Sequence, residues 1–496
     1  MLRKSQYAVL ASAALISSSL IGGMSAGAAP VADPRSTTVD TAPADGTLMS
    51  YVVNLKPTKI NHGQMKKAEK LISQSGGTVV QSWPQIGVIV AHSTKAAFVD
   101  KLPRSANSPI EAAGQTRTTE VAEGTPKGNP VLPPGQRPTA GAPDTYPAPS
   151  APATFTPEPM EDQQPGNREV QADAAHQISQ GSPGVLVGVL DTGVDGTHPD
   201  LAPNFRDDKS VSCQNAGVPE RKNWEPTDSN HGTHVAGTIA AARNGKGIAG
   251  IAPKTSVASI RVASDQNLFY PEYVVCGIVW AADQGFDITN HSYFVDPWMF
   301  WCDDQANQAP GREAVRRALA YATDQGVSQV AAAGNSDIDL ANKTTDDTSP
   351  NDSTPAARTL NPECRQIPAE MPGVVSVGAT QTARDIWTKR FSSNYGADKI
   401  TVVAPGSRIL STVPGGGYGS LSGTSMAAPH VAGVLALMKA SHPDATPAEL
   451  TSMLIRDATP VPCAGAPRCL GTPELNNFFG HGFVNALKAV SSEHHE

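Results

Sequence analysis

The chain has 496 residues, of which only 5% are aromatic and only 17% are charged. It also lacks a surplus of positive charge: 38 Lys and Arg face 46 Asp and Glu, for a formal net charge of −8. That balance argues against a nucleic-acid partner, because phosphate neutralisation needs excess Lys and Arg. Beyond the N-terminus no stretch has the roughly 20 apolar residues a membrane helix requires. No close Cys/His pair recurs at zinc-finger spacing, and no P-loop lysine follows the Gly415-Gly416-Gly417 run. Hydrophobic residues at 39% are nevertheless enough for a sizeable core.

The start of the chain reads as a secretory signal over residues 1–29. Arg3 and Lys4 supply the positive start, Ala8 to Gly22 an apolar stretch, and Ala26-Gly27-Ala28 a small-residue cleavage pattern. The expectation is an exported, extracellular protein. Six cysteines suit that compartment, since an even count in an exported chain implies disulfides. Cys463 and Cys469 flank a short Ala/Gly/Pro loop and form a natural pair. Cys213, Cys276, Cys302 and Cys364 allow three pairings that the sequence does not rank.

Four regions follow from composition and periodicity. After the signal, residues 30–123 carry strand patterns at Tyr51–Leu55, Thr78–Val80 and Ile86–Val90 and helical patterns at Gln64–Ile72 and Ala96–Leu102, a small α+β domain. Residues 124–165 hold 12 of the 42 prolines, a composition that favours extended conformations over a core and marks a linker. Residues 166–496 alternate. Apolar strand patterns lie at Val185–Leu190, Val257–Val262, Asp287–Tyr293, Ser328–Ala333, Val374–Val377 and Ile400–Val403. Helical stretches lie at Glu169–Ile178, Thr233–Arg243, Glu272–Gln284, Arg312–Thr323 and Ser425–Ala440. Near-continuous apolar strands separated by helices predict an α/β fold, a parallel β-sheet with helices on both faces. Ligands of such sheets sit at the carboxyl ends of strands.

Three segments carry chemistry. Val189-Leu190-Asp191-Thr192-Gly193 delivers Asp191 at the end of an apolar strand. His231-Gly232-Thr233-His234-Val235-Ala236-Gly237 opens a close-packing helix with His231. Gly423-Thr424-Ser425-Met426-Ala427-Ala428-Pro429 places Ser425 at the start of an apolar helix, where Pro429 is read as lying in a first turn that needs no amide donors. A serine hydroxyl is a weak nucleophile unless a base takes its proton, and the base needs a partner that fixes its tautomer. Asp191 can hold His231, and His231 can take the proton from Ser425. His234 and His430 read as structural, and Asp195 and Asp200 as turn chemistry.

Together these segments resemble the subtilisin-like serine peptidases, the subtilases, in which the order Asp, His, Ser is a known feature. The resemblance runs from about Gly166 to Val490. It implies that Asn335, closing Ala331-Ala332-Ala333-Gly334-Asn335, donates its side-chain amide to an oxyanion, and that Ser292 and Gly334 contact the substrate. It implies that the N-terminal domain is an inhibitor-type propeptide, with maturation in or near the Pro-rich linker. One departure stands out: Ser292-Tyr293-Phe294 replaces the family's usual Ser-Leu-Gly, so two rings are expected to narrow or reshape the main specificity pocket. The following insertion, with Trp298, Phe300, Trp301 and Cys302, would either line extra subsites or cover the sheet edge. No cofactor is required. Calcium is common in the family, but Arg243 and Lys246 make the loop after the histidine helix a poor cation site; the acidic insertion with Asp337, Asp339, Asp346, Asp347 and Asp352 either binds calcium instead or is simply solvated, and no metal ligands are assigned. The functional expectation is a secreted serine endopeptidase, monomeric and made as an autoinhibited precursor, with protein or peptide substrates. The alternative is a non-catalytic peptide binder on a degenerate peptidase fold.

Overall fold

Alternation along Met49–Leu55 explains how the N-terminal domain is held. The computed structural model describes residues 35–126, 156–383 and 386–491; the signal reading and most of the Pro-rich stretch lie outside them. Strands β1 (Met49–Leu55), β2 (Thr78–Trp83), β3 (Val88–Ser93) and β4 (Ile110–Gln115) form an antiparallel sheet in the order β2-β3-β1-β4. Successive side chains of a strand point to opposite faces. Tyr51, Val53 and Leu55 therefore pack on Met65, Ala68 and Ile72 of α1 (His62–Gln74) and on Phe98 of α2 (Phe98–Lys101). Val52, with Val80, Val88 and Val90, faces the main body instead. Asn61 caps α1 by accepting from Gln64 N at 3.0 Å, and Gly76 ends it in the left-handed region, φ +91°.

The body begins upstream of the expected boundary at Gly166. Met160 N donates to Gly247 O at 2.7 Å, and Glu161 accepts from Arg243 at 2.8 Å, so the downstream end of the Pro-rich stretch is folded onto the body. The helix expected over Glu169–Ile178 is broken. Gln171 adopts φ +60°, separating α3 (Pro165–Glu169) from α4 (Ala172–Ala175).

The body's sheet has nine strands. Its parallel core comprises β5 (Leu186–Asp191), β6 (Val211–Asn215), β8 (Ser256–Arg261), β9 (Ile288–His291), β10 (Ser328–Ala332), β13 (Val374–Ala383) and β15 (Val402–Pro405). Antiparallel β7 (Val218–Glu220) and β14 (Ile386–Lys389) add the margins. Short β11 (Thr345–Asp346) and β12 (Arg358–Thr359) pair separately, as do β16 (Ile409–Val413) and β17 (Gly417–Leu421). Helices α5 (His231–Ala240), α6 (Pro271–Asp283), α7 (Ala309–Asp324) and α8 (Thr424–Ser441) pack against the sheet. Helix α8 is apolar on every side and buried from Met426 to Met438, as a central helix must be. Strand order reverses beside β5: β6, β7 and β8 lie on one side, β9 and β10 on the other. Register aligns Leu190 with His291 and His291 with Ala331, so three strands deliver their exits at one level.

All described cysteines are paired. Cys463–Cys469 is the expected bridge; Cys213–Cys276 ties β6 to α6, and Cys302–Cys364 closes the aromatic insertion. Replacing both Cys302 and Cys364 with serine reopens a loop of 62 residues. By loop-closure entropy this costs about 4 kcal/mol, read as a lower urea midpoint, with a slope that is unchanged or steeper because the unfolded chain is less compact.

Candidate active site

Asp191 ends β5 with a carboxylate that is fully buried. Its Oδ1 accepts from Thr192 N at 2.7 Å and from His231 Nδ1 at 2.8 Å. A carboxylate can only accept, so Nδ1 carries the proton and Nε2 keeps its lone pair. The imidazole is 28% exposed at the first turn of α5. This contact needs Gly232: a Cβ there would stand 2.3 Å from Gly193 O and 3.1 Å from Asp191 Cβ. Burial pushes the His231 imidazole down, but the charge of Asp191 and its hydrogen bond outweigh burial and leave the pKa raised above 6.5.

Ser425 sits in the first turn of α8, and its Oγ donates to Ser292 O at 3.1 Å. The reverse contact is also made: Ser292 Oγ donates to Ser425 O at 2.9 Å. Pro429 explains why that carbonyl is open. It lies within α8, in the second turn and not the first as read from sequence. Its missing N–H is the one that would have bonded the carbonyl four residues earlier, which is Ser425 O. The proline thus frees an acceptor, and Ser292, the residue just after β9, fills it.

Asn335 approaches from the exit of β10. Its Oδ1 accepts from Thr424 N at 2.9 Å and from Thr424 Oγ1 at 3.2 Å, which turns the Nδ2 donors outward. Thr424 Oγ1 in turn accepts from Gly334 N at 3.1 Å. His231, Ser292, Gly334, Asn335 and Ser425 all border one cavity of about 450 Å³. Every candidate site residue is therefore at one place, and the contact missing from the resting geometry is that of Ser425 Oγ with the imidazole. Thr424 positions Asn335, a role the sequence did not suggest, and Pro429, read from sequence only as a tolerated first-turn residue, instead frees the Ser425 carbonyl.

Both rings after Ser292, Tyr293 and Phe294, line the cavity. Tyr293 is held off its centre. Its ring stacks on Phe269 at 4.4 Å between centroids, and its hydroxyl meets His291 Nδ1 at 2.7 Å. In the insertion, Trp298, Phe300 and Trp301 are buried, and only Met299 among its apolar residues reaches the cavity. Asp296 also lines the cavity, its pKa raised by burial to about 6 despite hydrogen bonds from Phe269 N and Asn351. His234 and His430 are structural. His234 Nε2 donates to Ile409 O at 2.8 Å and His430 Nδ1 to Met426 O at 2.7 Å; burial lowers both to about 4.

The acidic insertion does not fit a calcium site. Asp346 is paired with the buried Arg358, Asp337 with Lys389 and Arg468, and Asp352 accepts from Thr118 N at 2.8 Å. Among the described residues no three His, Cys, Asp or Glu converge to hold a metal.

Residues 182–482 match the Peptidase_S8 model, described as the subtilase family. The chain belongs to this family. It is a serine peptidase of the subtilisin-like fold. The subtilase is 33% identical over 325 residues to a subtilisin of Bacillus pumilus, covering 66% of this chain and 98% of that protein. It is equally identical over the same length to subtilisin E of Bacillus subtilis strain 168, of which 70% is covered. Fervidolysin from Fervidobacterium pennivorans, a keratinolytic enzyme related to subtilisin, superposes with a TM-score of 0.63 at 25% identity, over 93% of this chain and 64% of that one. The epidermin leader peptide processing serine protease of Staphylococcus aureus gives 0.66 at 21% identity, over 91% and 99%, and supports the fold alone.

General-base chemistry needs a neutral imidazole. With His231 raised by Asp191, kcat/KM of the subtilase should fall as pH drops through an apparent pKa above 6.5. Asp191→Asn should move that acid limb downward and lower its plateau, as a pH–rate profile on one peptide would record.

Proposed function

We propose that this subtilase is a secreted endopeptidase that cleaves peptide bonds of proteins through an acyl-enzyme on Ser425. The observation that carries the reading is the 2.8 Å Asp191–His231 contact on the same cavity as Ser425 and Asn335. Rotation of Ser425 Oγ away from Ser292 O presents it to His231 Nε2. The imidazole takes the proton, Oγ bonds the substrate carbonyl carbon, and the imidazolium returns the proton to the leaving amine. Water, deprotonated by His231, then bonds the acyl carbon; the bond to Ser425 Oγ breaks, the imidazolium returns its proton to Oγ, and the acid leaves. The Asn335 amide and the first-turn N–H of Ser425 face the developing oxyanion. Substrate backbone runs along Ser292 and Gly334.

Export is supported by the charged and apolar start of the chain and by three disulfides, which persist in oxidising compartments. No described helix is long and apolar enough to cross a membrane. Autoinhibition is supported by the depth of the N-terminal domain's contacts. Arg317 of α7 donates to Leu55 O at 2.8 Å and pairs with Glu111 at 2.7 Å; Asn54 Nδ2 donates to Pro310 O at 2.9 Å. Arg117 is buried between Glu123 and Glu272 and lies 4.0 Å from the Tyr270 ring centroid. Its neighbour Thr118 bonds Asp352, next to Asn351 on the cavity rim. In this reading residues 30–123 are the propeptide, cleavage falls within 124–165, and the mature monomer needs no cofactor.

Ser425→Ala should abolish fluorophosphonate labelling and lower kcat by about 10⁶, the loss established for a subtilisin. It should also leave the precursor uncut in a protease-deficient host; cleavage there by the variant would refute self-processing. Asn335→Ala should cost about 10²–10³ in kcat, again the size known from a subtilisin, with KM little changed.

A further inference from the structure

Behind Gly334 lies a pair of side-chain amides whose orientation is fixed by the backbone. Asn394 Oδ1 accepts from Ser336 N and Ile338 N, each at 3.0 Å, so that atom is the oxygen. Asn394 Nδ2 is then the donor, to Ala333 O at 2.9 Å and to Gln366 Oε1 at 3.2 Å. The Gln366 oxygen is thereby assigned as well. What remains is Gln366 Nε2, with two N–H groups and no protein partner. Gln366 is 3% exposed and lines the cavity that holds Ser425. A Cβ added to Gly334 would stand 2.7 Å from Gln366 Nε2, which places this donor directly against the Gly334–Asn335 backbone.

A buried donor facing a binding cavity is occupied by water when the cavity is empty. An apolar substrate side chain displaces that water and strands the N–H groups, whereas an acceptor replaces the bond. No Lys or Arg lines the cavity to favour an anionic side chain, and the Asp296 carboxylate is among its lining groups. The rest of the lining is largely apolar, with Leu268, Phe269, Phe294 and Met299.

We propose that Gln366 is a specificity-determining residue: its Nε2 donates to the side chain of the substrate residue whose carbonyl is attacked, and selects an uncharged acceptor, glutamine above all. The inference rests on the peptidase reading, because it places the acyl-side residue between the Ser292–Phe294 strand and the Ala332–Gly334 segment.

The test compares kcat/KM of the full chain, matured and active-site-titrated with a fluorophosphonate, on peptides that differ only at the acyl-side residue: glutamine, glutamate, methionine and leucine. Glutamine should exceed methionine, its near isostere, on the order of tenfold, the worth of one hydrogen bond to an otherwise unpaired buried donor. It should also exceed glutamate. Gln366→Leu should bring the glutamine-to-methionine ratio to one or below. If this variant misfolds, Gln366→Met serves the same comparison, and the wild-type series alone already decides. Equal rates for glutamine and methionine in the wild-type enzyme, or an unchanged ratio in either variant, would overturn the role of Gln366 while fluorophosphonate labelling upheld the peptidase. Failure of the folded chain to label or cleave would overturn both.

Discussion

The exchange of hydrogen bonds between Ser292 and Ser425 joins the two halves of the site. A regular helix would keep the Ser425 carbonyl for itself. Pro429 withholds the amide, and the hydroxyl of Ser292 takes the vacancy, so the end of β9 is fastened to the first turn of α8. The same turn holds Asn335 through Thr424, and Asn335 comes from the neighbouring strand. One proline inside a buried helix therefore sets the distance between the proposed nucleophile, the proposed substrate strand and the proposed oxyanion donor. Asp191 and His231 arrive from the adjacent strand exit, where Gly232 allows the histidine helix to lie almost in contact with the strand. The site is assembled from three strand ends and two helix starts rather than from any long loop, which suits groups that must hold their geometry through a reaction.

Much of this was legible because the decisive residues sit at discontinuities in local pattern. Asp191 closes an apolar run, His231 opens a helix of small residues, and Asn335 follows three alanines. The parallel sheet could be read from apolar strands alternating with helices, and five of the six expected strands fall within a few residues of those observed; β13 runs on through Ala383 beyond the expected Val377 to pair with β14. What was not legible depended on partners distant in sequence. Strand β4 has no alternation of its own and exists because β1 offers it an edge. The break at Gln171 reflects a backbone angle that glutamine has no local reason to adopt. Pairing of Cys213 with Cys276 and of Cys302 with Cys364 follows from the sheet bringing distant segments together. Gln366 carries no motif, and its relevance appears only when the donors around Asn394 are traced.

The charged residues divide along similar lines. In sequence, the acidic loop from Ser336 to Pro362 resembles a cation trap. In the fold three of its five aspartates are taken up, Asp346 by Arg358, Asp337 by Lys389 and Arg468, and Asp352 by Thr118 of the N-terminal domain. Protein cations thus perform the loop-pinning task that a bound metal would otherwise perform, and they remain in place when a chelator is added.

Departure of the N-terminal domain would split the Arg117 cluster. The guanidinium leaves with that domain, while Glu272 and the rings of Tyr270 and Tyr273 stay on the body. A carboxylate that had been sealed from solvent becomes a hydrated surface anion, beside apolar faces of α6 and α7 that Val52, Val80 and Val88 no longer cover. The shed domain and the body would then each carry one half of a complementary imprint, so that re-association competes with escape until the domain is itself degraded.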